Sequence, residues 1–143
     1  MNQLMIKLFL FLMVFSSISQ ATGGSEFSRV DIQINNQTLP LEYADTEVLR
    51  NQGLMYRKQL CIDCGMLFKL DQAHQVEMWM KNTYIPLDVA FIRADGLIVG
   101  IEAMQPLDQT LVKASEKVLY VWEMNQDWFQ ANDIAVGDKV FIY

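Results

Sequence analysis

Short apolar segments separated by turn signals constrain the fold of this chain more than any other feature. Val30–Ile34 alternates apolar and polar residues, which predicts a strand with one buried face. Asn35–Asn36 favours a tight turn, and Thr38–Tyr43 is predicted to be the return strand. The remaining strand candidates are Met66–Phe68, Gln75–Met80, Leu87–Arg93, Leu97–Met104, Lys117–Met124 and Lys139–Tyr143. The pattern predicts a mainly β fold.

Several of these segments are apolar at consecutive positions, so both faces of the strand are expected to be covered. Leu97–Val99 and Val118–Trp122 are examples, and Arg93–Gly96 between two segments is a strong hairpin turn. Strands covered on both sides occur in sandwiches and small barrels. No β–helix–β spacing of the kind that a parallel sheet requires is evident, so we expect a compact antiparallel β-sandwich or barrel.

One short helix is predicted in the N-terminal third of the chain. Thr46 is a good N-cap, Glu47 places a negative charge in the first turn, and Gly53 is a natural C-terminal stop. Residues Asn125–Asn132 are predicted to form a helical turn with Trp128 and Phe129 facing the core.

The N-terminus has the layout of a secretory signal peptide. Lys7 precedes the apolar run Leu8–Phe15, and Ser19–Ala21 places small side chains where a signal peptidase acts. We therefore predict a signal peptide at residues 1–21, a flexible leader at 22–28 and a single β domain at 29–143. The mature protein is expected to be periplasmic or secreted, with no stable membrane anchor.

Composition bounds the class of partner. The chain has 143 residues, a formal net charge of -6 and 52% hydrophobic residues, which fits a packed domain. The acidic balance disfavours an electrostatic contact with nucleic acid. We expect a monomer without a cofactor.

Cys61 and Cys64 have the spacing of a thiol redox motif. Gly65 and a strand follow the pair, and Asp63 between the two cysteines would disfavour a thiolate. In an oxidising compartment two nearby thiols often join, so a local disulfide is the favoured interpretation. A redox-active pair and a metal site remain alternatives.

A copper site is the second metal hypothesis. Met55, Met66, Met78 and Met80 supply soft thioethers, and His74 is the only histidine. Thioether and thiolate ligands select Cu(I). The competing explanation is that methionine fills gaps in hydrophobic cores. Met55, Met66 and His74 are therefore only weak candidates for metal ligands.

Polar groups inside apolar strands are the candidate binding site. Glu77, Asp88 and Glu123 are each embedded in such strands. Arg57, Lys81 and Asn82 could converge near them, and Trp79 could supply an apolar wall. The predicted site is Arg57, Trp79, Lys81, Asn82, Asp88 and Glu123. The alternative is a buried network that fixes loops, because an embedded charge must find a partner.

The tryptophans allow a related hypothesis. Trp79, Trp122 and Trp128 could line a surface that binds rings or sugars, although aromatic residues in strands are more often part of the core.

The order of several motifs resembles one known family. The motifs are Gly53–Arg57, Gly65–Phe68, Trp79–Thr83, Ile85–Asp88, the Phe91–Gly96 hairpin, Glu123, Trp128–Phe129 and Val136–Val140. Together they are similar to the domain-of-unknown-function family 192 over roughly residues 29–143. The resemblance implies a small mainly β sandwich of jelly-roll type and no established catalytic activity. The Cys61–Cys64 stretch is outside the family pattern, and Asp127 and Asp133 stand where glycines are common.

The function expected from these observations is a binding or accessory module for a small ligand or an envelope protein. Polar side chains within apolar strands motivate this prediction, since the chain has no complete catalytic set. The alternatives are a periplasmic thiol oxidoreductase that uses Cys61 and Cys64, a hydrolase that uses the carboxylates, and a copper-binding protein that uses methionine and histidine.

Overall fold

The computed structural model describes residues 26–143, which form nine strands and two short helices. The predicted signal peptide and most of the leader lie outside the described residues. The strands are β1 Ser28–Ile34, β2 Gln37–Ala44, β3 Gly65–His74, β4 Glu77–Met78, β5 Leu87–Ile92, β6 Ile98–Met104, β7 Val112–Lys113, β8 Val118–Asn125 and β9 Val140–Ile142. The helices are α1 Glu47–Gln52 and α2 Trp128–Ala131. Within this range no helix is long and apolar enough to cross a bilayer.

Seven strands form one curled sheet in the order β6-β5-β8-β3-β2-β1-β9, and β4 pairs with β7 separately. The two outer strands of the large sheet approach each other, because Leu97 bridges to Lys139. The Ile98 amide donates to the Asp138 carbonyl at 2.9 Å, and the Val140 amide donates to the Gly96 carbonyl at 2.8 Å. The sheet therefore curls towards a barrel, and the predicted mainly β, barrel-like fold is confirmed.

Gly96 permits this approach of the two sheet edges. Its φ of 86° lies in the region that favours glycine, and a Cβ atom there would collide with the Val140 carbonyl. The hairpin predicted at Arg93–Gly96 thus also helps to close the barrel.

One strand pair departs from the antiparallel expectation. β2 and β3 run parallel, with Glu42 opposite Met66 and Ala44 opposite Phe68. Their connection contains α1 and is long enough for the crossover that parallel neighbours need. The expectation that no β–helix–β connection occurs was therefore wrong at this place. The other named pairs of the described chain are antiparallel.

The predicted caps of α1 are present. The Thr46 hydroxyl accepts a hydrogen bond from the Leu49 amide at 3.3 Å, and Gly53 ends the helix with φ of 48°. Arg50 in the last turn donates to the carbonyls of Asp45 and Lys69 and pairs with Asp71. These contacts hold α1 against β3.

The sheet separates two hydrophobic cores, because alternate side chains of each strand point to opposite faces. The barrel core lies inside the curl and contains the edge-to-face cluster of Trp122, Trp128 and Phe129. The outer core lies on the other face and includes Met66, Phe68, Val89 and Val121, covered by α1 and by loops. The candidate site described next lies on the outer-core side.

Candidate functional site

A cavity of about 560 Å³ opens between α1, the end of β3, β4 and the segment that follows β4. Its apolar walls include Leu54, Phe68, Leu70, Val76, Met78 and Val121. Its polar lining includes Arg50, His74, Glu77, Lys81, Asn82 and Glu123, and Trp79 also contributes. The cavity is large enough for a small organic molecule. Four of the six predicted site residues line it, namely Trp79, Lys81, Asn82 and Glu123.

Glu123 lies among apolar neighbours at the cavity wall. Alternation along β8 places it on the same face as Val121, and its cross-strand partners are Met66 and Val89. The residue is only 5% exposed. Burial raises the pKa of its carboxyl to about 8, since no charge or hydrogen bond within residues 26–143 offsets the desolvation. The side chain is therefore mainly protonated and uncharged at neutral pH.

Trp79 and Lys81 belong to the segment at the edge of the cavity. The Trp79 side chain is 45% exposed, and the Lys81 ammonium lies 5.3 Å from the centre of its ring. This distance is that of a cation–π contact. No ion pair of the described residues involves Lys81. Its charge is thus available to an anionic group at the cavity edge.

Asn82 fixes the shape of this segment. It has a φ of 54°, its carbonyl accepts from the Tyr56 amide at 2.8 Å, and its side-chain amide donates to the Tyr56 hydroxyl at 2.8 Å. The Met80 amide donates to the Asp108 carbonyl at 2.8 Å. These contacts turn the chain after β4. The strand predicted at residues 75–80 is reduced to Glu77–Met78, which pair with the two residues of β7.

The other charged side chains of the cavity are engaged elsewhere. Arg50 pairs with Asp71 at 2.9 Å, and Glu77 lies 3.4 Å from the Lys113 ammonium. His74 Nδ1 lies 2.9 Å from the Gln72 carbonyl. Among the titratable groups of the described cavity, Lys81 and Glu123 are consequently the best placed to meet a ligand.

Arg57 and Asp88 do not line this cavity. Arg57 forms two hydrogen bonds with the Glu42 carboxylate, at 3.0 and 2.5 Å, and lies over the Phe27 ring. Asp88 pairs across the sheet with Met124 and so faces the barrel core, opposite to Glu123. Its carboxylate accepts from the Asp127 amide at 2.8 Å, while burial raises its pKa. Both residues therefore brace the fold and do not complete the predicted site.

The proposed copper ligands are divided between cavity and core. Met55 and His74 line the cavity, whereas Met66 is fully buried in the outer core. Within the described part of the chain, no group of three or more His, Cys, Asp or Glu side chains is arranged to hold a metal ion.

Cys61 and Cys64 lie at disulfide-bonding distance, with their Cα atoms 5.0 Å apart. The turn they close contacts the end of β8 and the start of α2. The Asn125 side-chain amide donates to the Cys61 carbonyl at 2.8 Å, and the Trp128 indole donates to Asp63 at 3.0 Å. The turn does not line the cavity, and its contacts are those of a structural tether.

The apolar walls were not identified as part of the site from the sequence. The sequence places Phe68 and Val121 only in predicted strands, and Leu70 lies outside the strand predicted at Met66–Phe68. The available signal was their alternation, since Val121 and Glu123 are two positions apart and must share a face. The three tryptophans do not line one surface. Trp122 and Trp128 are buried, and of the three only Trp79 reaches the cavity.

Comparison with known proteins gives one family and several similar solved structures, including two crystal structures from bacteria. A family model named DUF192 and described as an uncharacterized ACR matches residues 30–142. A suggested transcription regulator from Sinorhizobium meliloti 1021 is 35% identical, with a TM-score of 0.80, over 84% of this chain and 98% of that one. A protein of unknown function from Novosphingobium aromaticivorans DSM 12444 is 30% identical, with a TM-score of 0.72, over 80% and 84% respectively. The search of curated proteins found no match.

Proposed function

The chain belongs to the DUF192 family, as its order of motifs predicted, and from that premise we propose that it is a non-catalytic binding module for a small ligand. The ligand would occupy the cavity above Glu123. In this proposal the protein is exported by its N-terminal segment and acts as an accessory protein of the cell envelope.

The observation that carries the proposal is a nearly buried polar group that faces open space. Glu123 is 5% exposed and lines a cavity of about 560 Å³. Buried polar groups in folded proteins nearly always have a hydrogen-bond partner. A ligand in the cavity would supply the partner that residues 26–143 do not.

The residues at the cavity edge suggest how such a ligand is held. Lys81 would attract an anionic group, and Trp79 would cover an apolar or aromatic part of the ligand. Asn82 would contribute mainly by positioning these two side chains, because its amide is bonded to Tyr56.

The geometry gives less support to the other functions. Cys61 and Cys64 lie away from the cavity, and Asp63 between them is bonded to Trp128. The transcription role suggested for the Sinorhizobium protein gains no support here from charge, since the net charge of -6 disfavours DNA contact.

Binding of anilinonaphthalene sulfonate tests the proposal, because this dye combines an apolar ring system with an anionic group. The native protein is expected to bind one dye per chain with increased fluorescence. Lys81→Ala should weaken binding about three- to tenfold, the range expected for loss of one partly exposed charge contact. Met55→Trp, which adds bulk at the cavity wall, should weaken it further.

Lys58→Ala is the matched control, because Lys58 is exposed and does not line the cavity. It should bind the dye as the native protein does. Circular dichroism checks that each variant is folded. Absence of saturable binding to the native protein, or equal binding by the Lys81→Ala, Met55→Trp and Lys58→Ala proteins, would overturn the proposal.

A further inference from the structure

The chemistry of the cavity identifies a class of ligand. Resting on the proposed function, we infer that the cavity takes a molecule with an apolar body and an inward-facing carbonyl oxygen, and that the uncharged carboxyl of Glu123 donates a hydrogen bond to that oxygen. The ligand class is thus an aryl or alkyl ketone, ester or amide.

The position of Glu123 favours an acceptor that enters the cavity. The side chain is 95% buried, since 5% remains exposed, and its neighbours on β3 and β5 are the apolar Met66 and Val89. Within the described chain its carboxyl has neither a hydrogen bond nor an ion pair. Among the described residues the fully enclosed side-chain atom without a partner is Trp122 Nε1, so the Glu123 carboxyl reaches the cavity, where a ligand oxygen can meet it.

The protonation state decides whether the group acts as donor or as anion. Burial raises the pKa of Glu123 to about 8, so the carboxyl carries a proton at neutral pH and can donate it to a hydrogen bond. A cationic ligand would have to ionise this group within an apolar environment, and it would pass Lys81, whose charge is unpaired among the described residues. These charges favour an uncharged acceptor over an ammonium group.

The walls define the remainder of the ligand. Phe68, Leu70, Met78 and Val121 line the same cavity as Glu123 and give it apolar surface. Such surface favours an alkyl or aryl body, because its burial removes apolar area from water. The carbonyl oxygen would therefore be the single polar feature that the inner end of the cavity recognises.

Four other titratable or charged groups face the cavity from the elements packed around Glu123. They are Arg50 of α1, His74 of β3, Glu77 of β4 and Lys81 of the following segment. Asp88 of β5 lies on the opposite face of the sheet, and Glu42 of β2 is paired with Arg57. A Glu123→Gln variant retains all of these groups, so any pH dependence that they cause remains in that variant.

The test uses prodan, a naphthyl ketone whose emission shifts to the red when its carbonyl accepts a hydrogen bond. Affinity of the native protein should fall about tenfold between about pH 7 and about pH 9, as Glu123 loses its proton. Glu123→Gln keeps a donor that does not titrate, so its affinity should be retained at both pH values. Glu123→Leu should bind about tenfold more weakly at neutral pH, without the red shift.

Dimethylaminonaphthalene, which lacks the carbonyl, is the matched probe, and the native and Glu123→Leu proteins should bind it similarly. Prodan binding that is independent of both pH and Glu123 would overturn the inference. If the native protein still binds anilinonaphthalene sulfonate in that case, only the inference fails and the binding function stands. If the native protein binds none of the three dyes, the proposed function fails and the inference fails with it.

Discussion

The buried carboxyl of Glu123 links the stability of the protein to pH. Its pKa is about 8 in the folded chain, against an ordinary value of 4.5, so the folded state keeps a proton that the unfolded state releases. The stabilising effect of that retained proton is complete below about pH 4.5 and is lost as pH rises to about 8. Stability should therefore decrease across this window.

Substitution of Glu123 by glutamine is predicted to remove this dependence. Because the amide does not ionise, the variant should be more stable than the native protein at pH 7. Its free energy of unfolding should be higher by about 3 kcal/mol. Near pH 4 the two proteins should be similar. Urea unfolding at both pH values measures the difference.

Glu102→Gln is the control for this comparison. Glu102 lies opposite Val89 in the same row of the sheet but is exposed, so its substitution should change stability little at either pH. An equal gain in the two variants, or a gain at Glu123 that does not vary with pH, would contradict the prediction.

The two aspartates that were expected to stand where the family commonly has glycine can be judged from their backbone conformation. Asp127 has a φ of 67° and Asp133 a φ of 54°, which is the left-handed region that glycine adopts most easily. Aspartate tolerates this region better than most residues. Aspartate at these two positions is therefore compatible with the turns around α2.

At the scale of elements, features that depend on local chemistry were predicted from the sequence better than the pairing of strands. The caps of α1, the turn at Asn35 and the existence of β8 depend on neighbouring residues and were identified correctly. The parallel pairing of β2 with β3 was missed, because it depends on contacts across the α1 connection. The strand expected at residues 75–80 was too long, because its partner β7 comes from a distant part of the chain and contains only two residues.

The candidate site was predictable only in part for the same reason. Trp79, Lys81 and Asn82 are adjacent in sequence, so their grouping needed no tertiary information. Whether Asp88 joins Glu123 depends on the register of β5 against β8, which places the two carboxyls on opposite faces of the sheet. Spacing within one strand cannot provide that register.

The turn closed by Cys61 and Cys64 leads to a prediction at the same scale. A disulfide across so short a loop should stabilise the protein by about 2 kcal/mol in the loop-entropy description. A Cys61→Ala/Cys64→Ala variant should therefore unfold at lower urea concentration. Because the turn does not line the cavity, the variant should bind anilinonaphthalene sulfonate like the native protein.

Reductant provides the control for the cysteine prediction. It should lower the stability of the native protein to that of the cysteine-free variant and leave the variant itself unchanged. Equal stability of the oxidised native protein and the variant would show that the pair contributes nothing.

For the whole molecule, closure of the barrel at Gly96 can be tested with a matched pair of substitutions. Gly96→Ala places a methyl group against the Val140 carbonyl at a φ of 86°. Gly137 has a φ of 100° with open space around it, so Gly137→Ala tests the backbone conformation alone. We expect losses of about 3–4 kcal/mol and about 1–2 kcal/mol respectively. Thermal or urea unfolding measures both, and similar losses would show that the contact at Val140 is unimportant.

The division of the molecule by one sheet has a consequence for how its specificity can change. The aromatic cluster of Trp122, Trp128 and Phe129 lies inside the curl, whereas the cavity lies on the other face, partly beneath loops. Substitutions among the cavity walls should leave the barrel core packed, because the backbone of the sheet stands between them. New recognition properties could therefore arise on one side while the architecture on the other persists, in natural divergence and in laboratory selection alike.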